Sequence, residues 1–178
     1  LTVLSGNPGL TEATYGCRAV PRFSPVKLYQ AVKSCDALIS GGGSLLQDAT
    51  STRSLLYYLL VIRMAERRGK KVFLLANGIG AVDHPGNRKR VARAVREAEY
   101  ITLRDPASVA ELQSMGVDRS DLAVTADPVY LLEPGDSAAA QAALDAAGVG
   151  EEPFLVVSIR PWRKNENLEE RVAAVCDG

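Results

Sequence analysis

Residues 37–48 read Ala37-Leu38-Ile39-Ser40-Gly41-Gly42-Gly43-Ser44-Leu45-Leu46-Gln47-Asp48, and this stretch decides the fold. An aliphatic run of strand length gives way to three consecutive glycines. Apolar residues at helical spacing follow, Leu55, Leu56, Leu59, Leu60 and Met64. The same alternation extends in both directions. Residues 2–4, 72–76, 100–103, 122–124 and 154–159 are further β-branched or aliphatic runs that predict strands. Between them, Val26, Tyr29, Val32 and Cys35, and then Val91, Ala94, Val95 and Ala98, form amphipathic helical stripes. Gly69, Gly116 and Gly148 each follow a helical stretch, at the position where a left-handed residue ends a helix. Alternation of strand and helix with long crossovers predicts an α/β fold, a Rossmann-like parallel sheet with helices on both faces.

The 178 residues carry 21 Lys+Arg and 21 Asp+Glu, a formal net charge of zero. A neutral surface offers anions a local pocket rather than a field, which excludes bulk nucleic-acid binding. Cys17, Cys35 and Cys176 are widely spaced and His84 is the one histidine, so neither a zinc site nor a disulfide framework is expected. The longest apolar run, residues 55–62, falls far short of the ~20 residues that span a bilayer. The chain opens at Leu1 with no basic or apolar leader and reads as a segment of a longer protein. Glu133-Pro134-Gly135-Asp136 breaks the pattern. We therefore expect residues 1–133 to form one Rossmann-like domain, 134–152 a linker, and 153–178 the start of a second domain.

Ligands of parallel sheets bind beyond the carboxyl ends of the strands. The segments expected there are polar: Ser40 to Ser44, Asn77-Gly78-Ile79-Gly80, Arg104-Asp105-Pro106 and Thr125-Ala126-Asp127-Pro128. Gly41, Gly42 and Gly43 leave backbone N–H groups unshielded, so with Ser44 they suit an anion at a helix N-terminus; a plain tight turn is the alternative. The pattern is neither Gly-x-Gly-x-x-Gly nor a phosphate-binding P-loop. Gln47 and Asp48 add polar groups at the same edge.

These motifs, taken together and in order, resemble the polysaccharide pyruvyl transferase family, in particular its bacterial CsaB-type members. The resemblance rests on SGGGSLLQD at residues 40–48 with the Ser- and Thr-rich residues 49–58 after it. It continues through Asn77-Gly78-Ile79-Gly80 (Gln-Gly-Ile-Gly-Pro in the family), Arg104-Asp105, Thr125-Ala126-Asp127-Pro128, and residues 154–162 ending in Arg160-Pro161-Trp162. Asn77 and Ala81 stand where the family has Gln and Pro. The family pattern also opens with a strand and a Gly-Asn-x-Gly-Asp-Glu loop and closes with most of a second Rossmann-like domain, neither of which this chain carries.

The resemblance implies a GT-B-like fold and transfer of pyruvate from phosphoenolpyruvate to a sugar as a cyclic ketal; phosphoenolpyruvate is the donor substrate, no cofactor is expected, and no residues are singled out as metal ligands. It implies a lipid-linked or polymeric saccharide acceptor, an N-acetylmannosamine of a cell-wall polysaccharide precursor that serves S-layer anchoring. It also implies a cytoplasmic enzyme in peripheral contact with the inner face of the membrane. Phosphoenolpyruvate needs guanidinium donors, and Arg104 and Arg160 each end a predicted strand. Asp127, held extended by Pro128, is the candidate for orienting or deprotonating the sugar hydroxyl, with a turn residue as the alternative. Substrate contacts are expected from Gly41, Gly42, Gly43, Ser44, Gln47, Asp48, Asn77, Gly78 and Arg160.

Several residues have plainer readings. Asp105 before Pro106 suits a helix N-cap, His84 a solvated loop, and Tyr57-Tyr58 core packing. Trp162 suits sugar stacking or interdomain packing equally. Arg88-Lys89-Arg90 with Arg93 and Arg96 forms a basic helix, either solvated or facing an anionic membrane. Two other functions share these features: a GT-B glycosyltransferase using a nucleotide sugar, and a non-catalytic sugar- or anion-binding domain.

Overall fold

Thr2–Ser5 (β1) pairs in parallel with Arg18–Pro21 (β2), and Pro8–Tyr15 (α1) connects them. A second parallel ladder joins Ala37–Gly41 (β3), Lys71–Asn77 (β4), Tyr100–Leu103 (β5) and Ala123–Val124 (β6), in that order. Pro25–Ser34 (α2), Thr52–Glu66 (α3), Pro85–Glu97 (α4) and Pro106–Ser114 (α5) supply the crossovers. These features come from a computed structural model that describes residues 1–49, 51–150, 152–159 and 167–176. The chain divides into two compact units, Leu1–Leu132 and Glu133–Gly178.

Helix starts follow local chemistry. Proline opens α1, α2, α4 and α5, where its missing N–H has no intrahelical partner to lose. Asn7, His84 and Asp105 accept backbone hydrogen bonds from the first turns of α1, α4 and α5. The stops expected at Gly69, Gly116 and Gly148 all have left-handed backbone. α1 and β2 went unread in the sequence because neither buries a long apolar stripe.

The core of the first unit lies on the second ladder. Leu55 and Ala65 of α3, Leu74 of β4, Val91 and Val95 of α4, and Ile101 and Leu103 of β5 are all fully buried. At ~1.5–3 kcal/mol for each large side chain removed from water, this cluster dominates the stability of the unit. Tyr57 and Tyr58 pack against it, edge to face with each other.

Three expectations are corrected. The strands do not form one ladder, because β1–β2 and β3 to β6 are separate sheets. α3 starts at Thr52 rather than beside the glycines, since the chain first turns through Gly42 and Gly43 at positive φ and buries Leu46. Residues 154–159 are not a strand; among the described residues they have no ladder partner, and Leu155 is 84% exposed. An apolar run becomes a strand only when its N–H and C=O groups find such a partner. The described helices of the second unit are Ser137–Ala146 (α6) and Leu168–Cys176 (α7), with Asp136 capping α6.

Candidate active site

Because β3 to β6 are parallel, their carboxyl ends share one edge, where Gly41, Asn77, Arg104 and Asp127 meet. Arg104 follows β5, and its backbone N–H continues the ladder to the Asn77 carbonyl at 3.3 Å. Its side chain extends along the edge in both directions. Arg104 Nη1 donates to Asp127 Oδ2 at 2.9 Å, and Nη2 donates to Ser44 Oγ at 2.8 Å. Nε lies 3.7 Å from Asp105 Oδ2. One guanidinium thus ties together the segments that follow β3, β5 and β6.

Glycine makes this arrangement possible. A Cβ on Gly78 would stand 2.7 Å from both Arg104 Nε and Ser44 Oγ, closer than any real contact. The guanidinium therefore lies directly over bare backbone. Gly78 N–H donates to the Gly43 carbonyl at 2.9 Å, and Gly42 N–H to the Leu75 carbonyl at 2.9 Å, so the glycine turn is fastened to β4 and the loop after it. Gly42 N–H is thereby occupied, and the turn is not at a helix N-terminus as the sequence suggested.

Asn77 is fully buried and holds the turn from below, donating from Nδ2 to the Ser40 carbonyl at 2.8 Å. Its Oδ1 is buried with no partner among the described residues, an arrangement that costs about 1–3 kcal/mol. Just before it, Ala76 has φ of 49°, and the register between β4 and β5 shifts between Leu74 and Asn77. Ala76 N–H donates to Thr102 Oγ1 at 2.7 Å in place of a ladder bond. This bulge turns Asn77 and Gly78 toward the site.

Asp127 divides its two oxygens, Oδ2 accepting from Arg104 and Oδ1 from Val129 N–H at 3.1 Å, which caps the 3-10 turn Pro128–Leu131. The turn reading of Asp127 describes its Oδ1, while its Oδ2 faces Arg104 at the sheet edge. Asp105 caps α5: its Oδ1 accepts from Ser108 N–H at 2.7 Å and from Ser108 Oγ at 2.8 Å. Those hydrogen bonds from Ser108 hold the Asp105 carboxyl below the usual carboxylate range. Ser108 Oγ in turn accepts from Ile79 N–H at 2.8 Å, steadying the loop that carries Gly78. Neither Ser108 nor Thr102 was singled out in the sequence; Ser108, third after the Asp105 cap, was the one legible signal.

The other expected contacts sit at the margin. Asp48 faces the start of α4, accepting from Asp83 N–H at 2.8 Å, His84 N–H at 3.3 Å and Asn87 Nδ2 at 2.8 Å. Burial raises its pKa, but the bonds from Asn87, Asp83 and His84 outweigh that and hold it low. Gln47 packs against Gly80, where a Cβ would come within 2.9 Å of its own Cβ. His84 caps α4 through Nδ1, and the basic helix is largely tied into the fold: Arg88 pairs with Glu111 and Arg93 with Glu97. Arg160 and Trp162 lie outside the described residues. Among the described residues no group of three or more His, Cys, Asp or Glu could hold a metal ion, and no helix is long and apolar enough to cross a membrane.

Parallel strands flanked by helices, ending in a glycine-lined Arg–Asp–Ser cluster, define a Rossmann-like α/β protein. The model of the polysaccharide pyruvyl transferase family matches residues 1–178, and the chain belongs to that family, pyruvyl transferases of polysaccharide biosynthesis consistent with a GT-B-like fold. No curated protein and no solved structure matches the chain.

Proposed function

We propose that this protein transfers pyruvate from phosphoenolpyruvate to two hydroxyls of one sugar, forming a cyclic ketal. The observation that supports this is the 2.9 Å contact between Arg104 and Asp127, with Ser44 on the other arm of the guanidinium. A cation suited to an anionic donor stands one hydrogen bond from a carboxylate suited to a hydroxyl.

Phosphoenolpyruvate carries a carboxylate and a phosphate, and a planar guanidinium recognises either in bidentate fashion. In this reading Arg104 and Arg160 hold the donor, Gly41, Gly42, Gly43, Ser44 and Gly78 leave room for it, and Asn77, Gln47 and Asp48 shape the loop around it. The first sugar hydroxyl adds to C2 of the enol while C3 takes a proton and becomes a methyl group. The C2–O bond to phosphate breaks, and inorganic phosphate leaves with the bonding pair. The second hydroxyl then adds to C2 and loses its proton, closing the ketal. Asp127 receives or directs the hydroxyl proton, and the cations stabilise the departing phosphate. No step needs a metal or a cofactor.

The acceptor in this reading is an N-acetylmannosamine unit of a lipid-linked or polymeric cell-wall precursor, as in CsaB-type enzymes that prepare polymers for S-layer anchoring. Such an acceptor places the enzyme in the cytoplasm at the inner face of the membrane. Peripheral contact would rest on the exposed Lys89, Arg90 and Arg96, since Glu111 and Glu97 neutralise Arg88 and Arg93. The test is to incubate the full-length enzyme with phosphoenolpyruvate and a synthetic β-N-acetylmannosaminide. Acceptor-dependent phosphate release with a pyruvylated product is expected. Turnover of a nucleotide sugar without use of phosphoenolpyruvate would establish a glycosyltransferase instead.

A further inference from the structure

Two buried hydroxyls bracket the loop on which the Arg104 guanidinium lies. Thr102 in β5 is 8% exposed, and Ser108 in the first turn of α5 is 1% exposed. Ala76 N–H donates to Thr102 Oγ1 at 2.7 Å, and Ile79 N–H donates to Ser108 Oγ at 2.8 Å. Asn77 and Gly78 are the two residues between those anchored peptides. The Asn77 carbonyl accepts from Arg104 N–H at 3.3 Å, so three ties join the end of β4 to the segment that runs from β5 into α5. Arg104 stands between the two hydroxyls in the chain. The segment that carries the guanidinium therefore also carries the groups that fix the surface beneath it. That surface is close, since a Cβ on Gly78 would stand 2.7 Å from Arg104 Nε.

Ordinary strand pairing needs no such hydroxyls. A strand N–H takes a backbone carbonyl from its neighbour, and β4 does so with β5 until the register shifts between Leu74 and Asn77. There Ala76 adopts φ of 49°, a conformation that persists where the surroundings enforce it, most often at functional sites. Thr102 Oγ1 enforces it by giving the displaced Ala76 N–H the partner that the ladder no longer supplies. Ser108 acts twice, because a hydroxyl can accept and donate at once. Its Oγ accepts from Ile79 and donates to Asp105 Oδ1 at 2.8 Å, while Asp105 Oδ2 lies 3.7 Å from Arg104 Nε.

We propose that Thr102 and Ser108 are positioning residues for the anionic substrate: they hold Gly78 at the height at which Arg104 meets phosphoenolpyruvate, and act only through that loop. This inference rests on the reading of phosphoenolpyruvate as the donor. A binding group is held to a fraction of an ångström only when its neighbours lock it, and a buried hydroxyl that accepts a backbone N–H does so without adding charge. Removal of either hydroxyl leaves a buried N–H unpaired, and the loop relieves this by moving. The guanidinium then loses its fit to the phosphate and carboxylate. Asp127 is anchored separately, through Val129 N–H, so use of the acceptor should change less than use of the donor.

The test uses the full-length enzyme with Thr102→Val, which keeps the shape and removes the hydroxyl, Thr102→Ser, which keeps the hydroxyl, and Ser108→Ala. Thr102→Val and Ser108→Ala should each raise the apparent phosphoenolpyruvate constant about fivefold or more, yet less than Arg104→Ala does, with the acceptor constant within about twofold of the parent. Thr102→Ser should stay within about twofold of the parent in both constants. In an Arg104→Ala background, Thr102→Val and Ser108→Ala should raise the phosphoenolpyruvate constant no further, because no guanidinium is left to misplace. A second readout needs no substrate. The Arg104 Nε–H resonance of the 15N-labelled enzyme, assigned by its loss in Arg104→Ala, should exchange with water about tenfold faster in Thr102→Val and Ser108→Ala and at the parent rate in Thr102→Ser. Parent kinetics in both Thr102→Val and Ser108→Ala would overturn the proposal. So would an equal rise with and without Arg104, the mark of a general loss of stability. Ser108→Ala removes one oxygen and no carbon, so it carries the test if Thr102→Val does not fold. An enzyme that ignores phosphoenolpyruvate would overturn the donor reading instead; the Arg104 resonance would then decide the positioning role by itself, and unchanged exchange would end it.

Discussion

Arg104 and Asp127 keep 30% and 35% of their side-chain surface, and ion pairs at that depth contribute only ~0–1 kcal/mol to folding. Their pairing is therefore better explained by chemistry than by stability. Arg104→Ala should leave the unfolding free energy within ~1 kcal/mol. It should raise the apparent phosphoenolpyruvate constant roughly tenfold to a few hundredfold, the loss of a charge-assisted bond worth ~1.5–3 kcal/mol. Asp127→Asn should instead lower turnover by roughly 10²–10⁴-fold, the usual contribution of a positioned base. Phosphate release measures both, and near-normal turnover in Asp127→Asn, with circular dichroism unchanged, would reduce that residue to its capping role. Ala76 gives a second residue-scale prediction. Its left-handed backbone costs ~1–2 kcal/mol, which offsets what glycine loses in chain entropy and one buried methyl group. Ala76→Gly should therefore change stability by less than ~0.5 kcal/mol in urea unfolding, whereas Ala76→Val should cost ~2 kcal/mol or more. Nothing in the sequence marks Ala76, because an alanine at positive φ looks like any other strand residue until the bulge places it. Arg104 and Asp127 were legible because each follows a readable strand. The partners of Asp48 were not legible, because Asp83, His84 and Asn87 are distant in the chain.

At the scale of elements, the loop after β4 carries the site. A Cβ at Gly78 would collide with the far end of Arg104 and with Ser44 Oγ rather than with backbone. Flexible side-chain ends can move aside, so the fold tolerates the methyl group and the guanidinium does not keep its place. Gly78→Ala should lower Tm by only a few degrees while weakening phosphoenolpyruvate use about as much as Arg104→Ala does. Equal kinetics in Gly78→Ala and the parent enzyme would show that the close approach has no functional role. The sequence made the strand–loop–helix alternation legible, since hydrophobic period and glycine stops are local signals. It did not show that a turn and the buried Leu46 separate the glycines from α3, because Ser44-Leu45-Leu46 continues the helical pattern without being helical. Nor did it show that residues 154–159 have no ladder partner among the described residues, since pairing is a property of neighbours rather than of the run itself.

For the whole molecule, low-pH stability follows the carboxylates that organise loops. Asp48 and Asp105 are held below the ordinary aspartate value of about 3.9, by bonds from Asn87 and two backbone N–H groups and by bonds from Ser108, respectively. Between the folded and unfolded values the unfolded chain binds more protons, so stability rises with pH there. Their contribution is fully present above about pH 4 and is lost as pH falls through the folded values. Glu66 acts in the opposite sense, because burial raises its pKa and the folded chain binds its proton more readily. Urea midpoints measured from pH 2 to 7 should fall on the acid side, and Asp105→Asn should flatten that fall. A variant with the parent's pH profile would remove Asp105 from the account. The division of the sheet into two ladders was hidden from the sequence because β2 carries no readable strand signal and periodicity carries no strand order.

The guanidinium of Arg104 is paired with the Asp127 carboxylate, and for the proposed reaction this bears on the end of the catalytic cycle. In the proposed reaction, inorganic phosphate is left on an arginine that binds it well, a condition that makes enzymes slow to release product. Asp127 is tethered beside that arginine by the turn that follows β6, at 2.9 Å. A tethered competitor acts at an effective concentration in the millimolar range or above, with no diffusional search. It therefore returns to the guanidinium as phosphate loosens, and the site resets itself for the next donor.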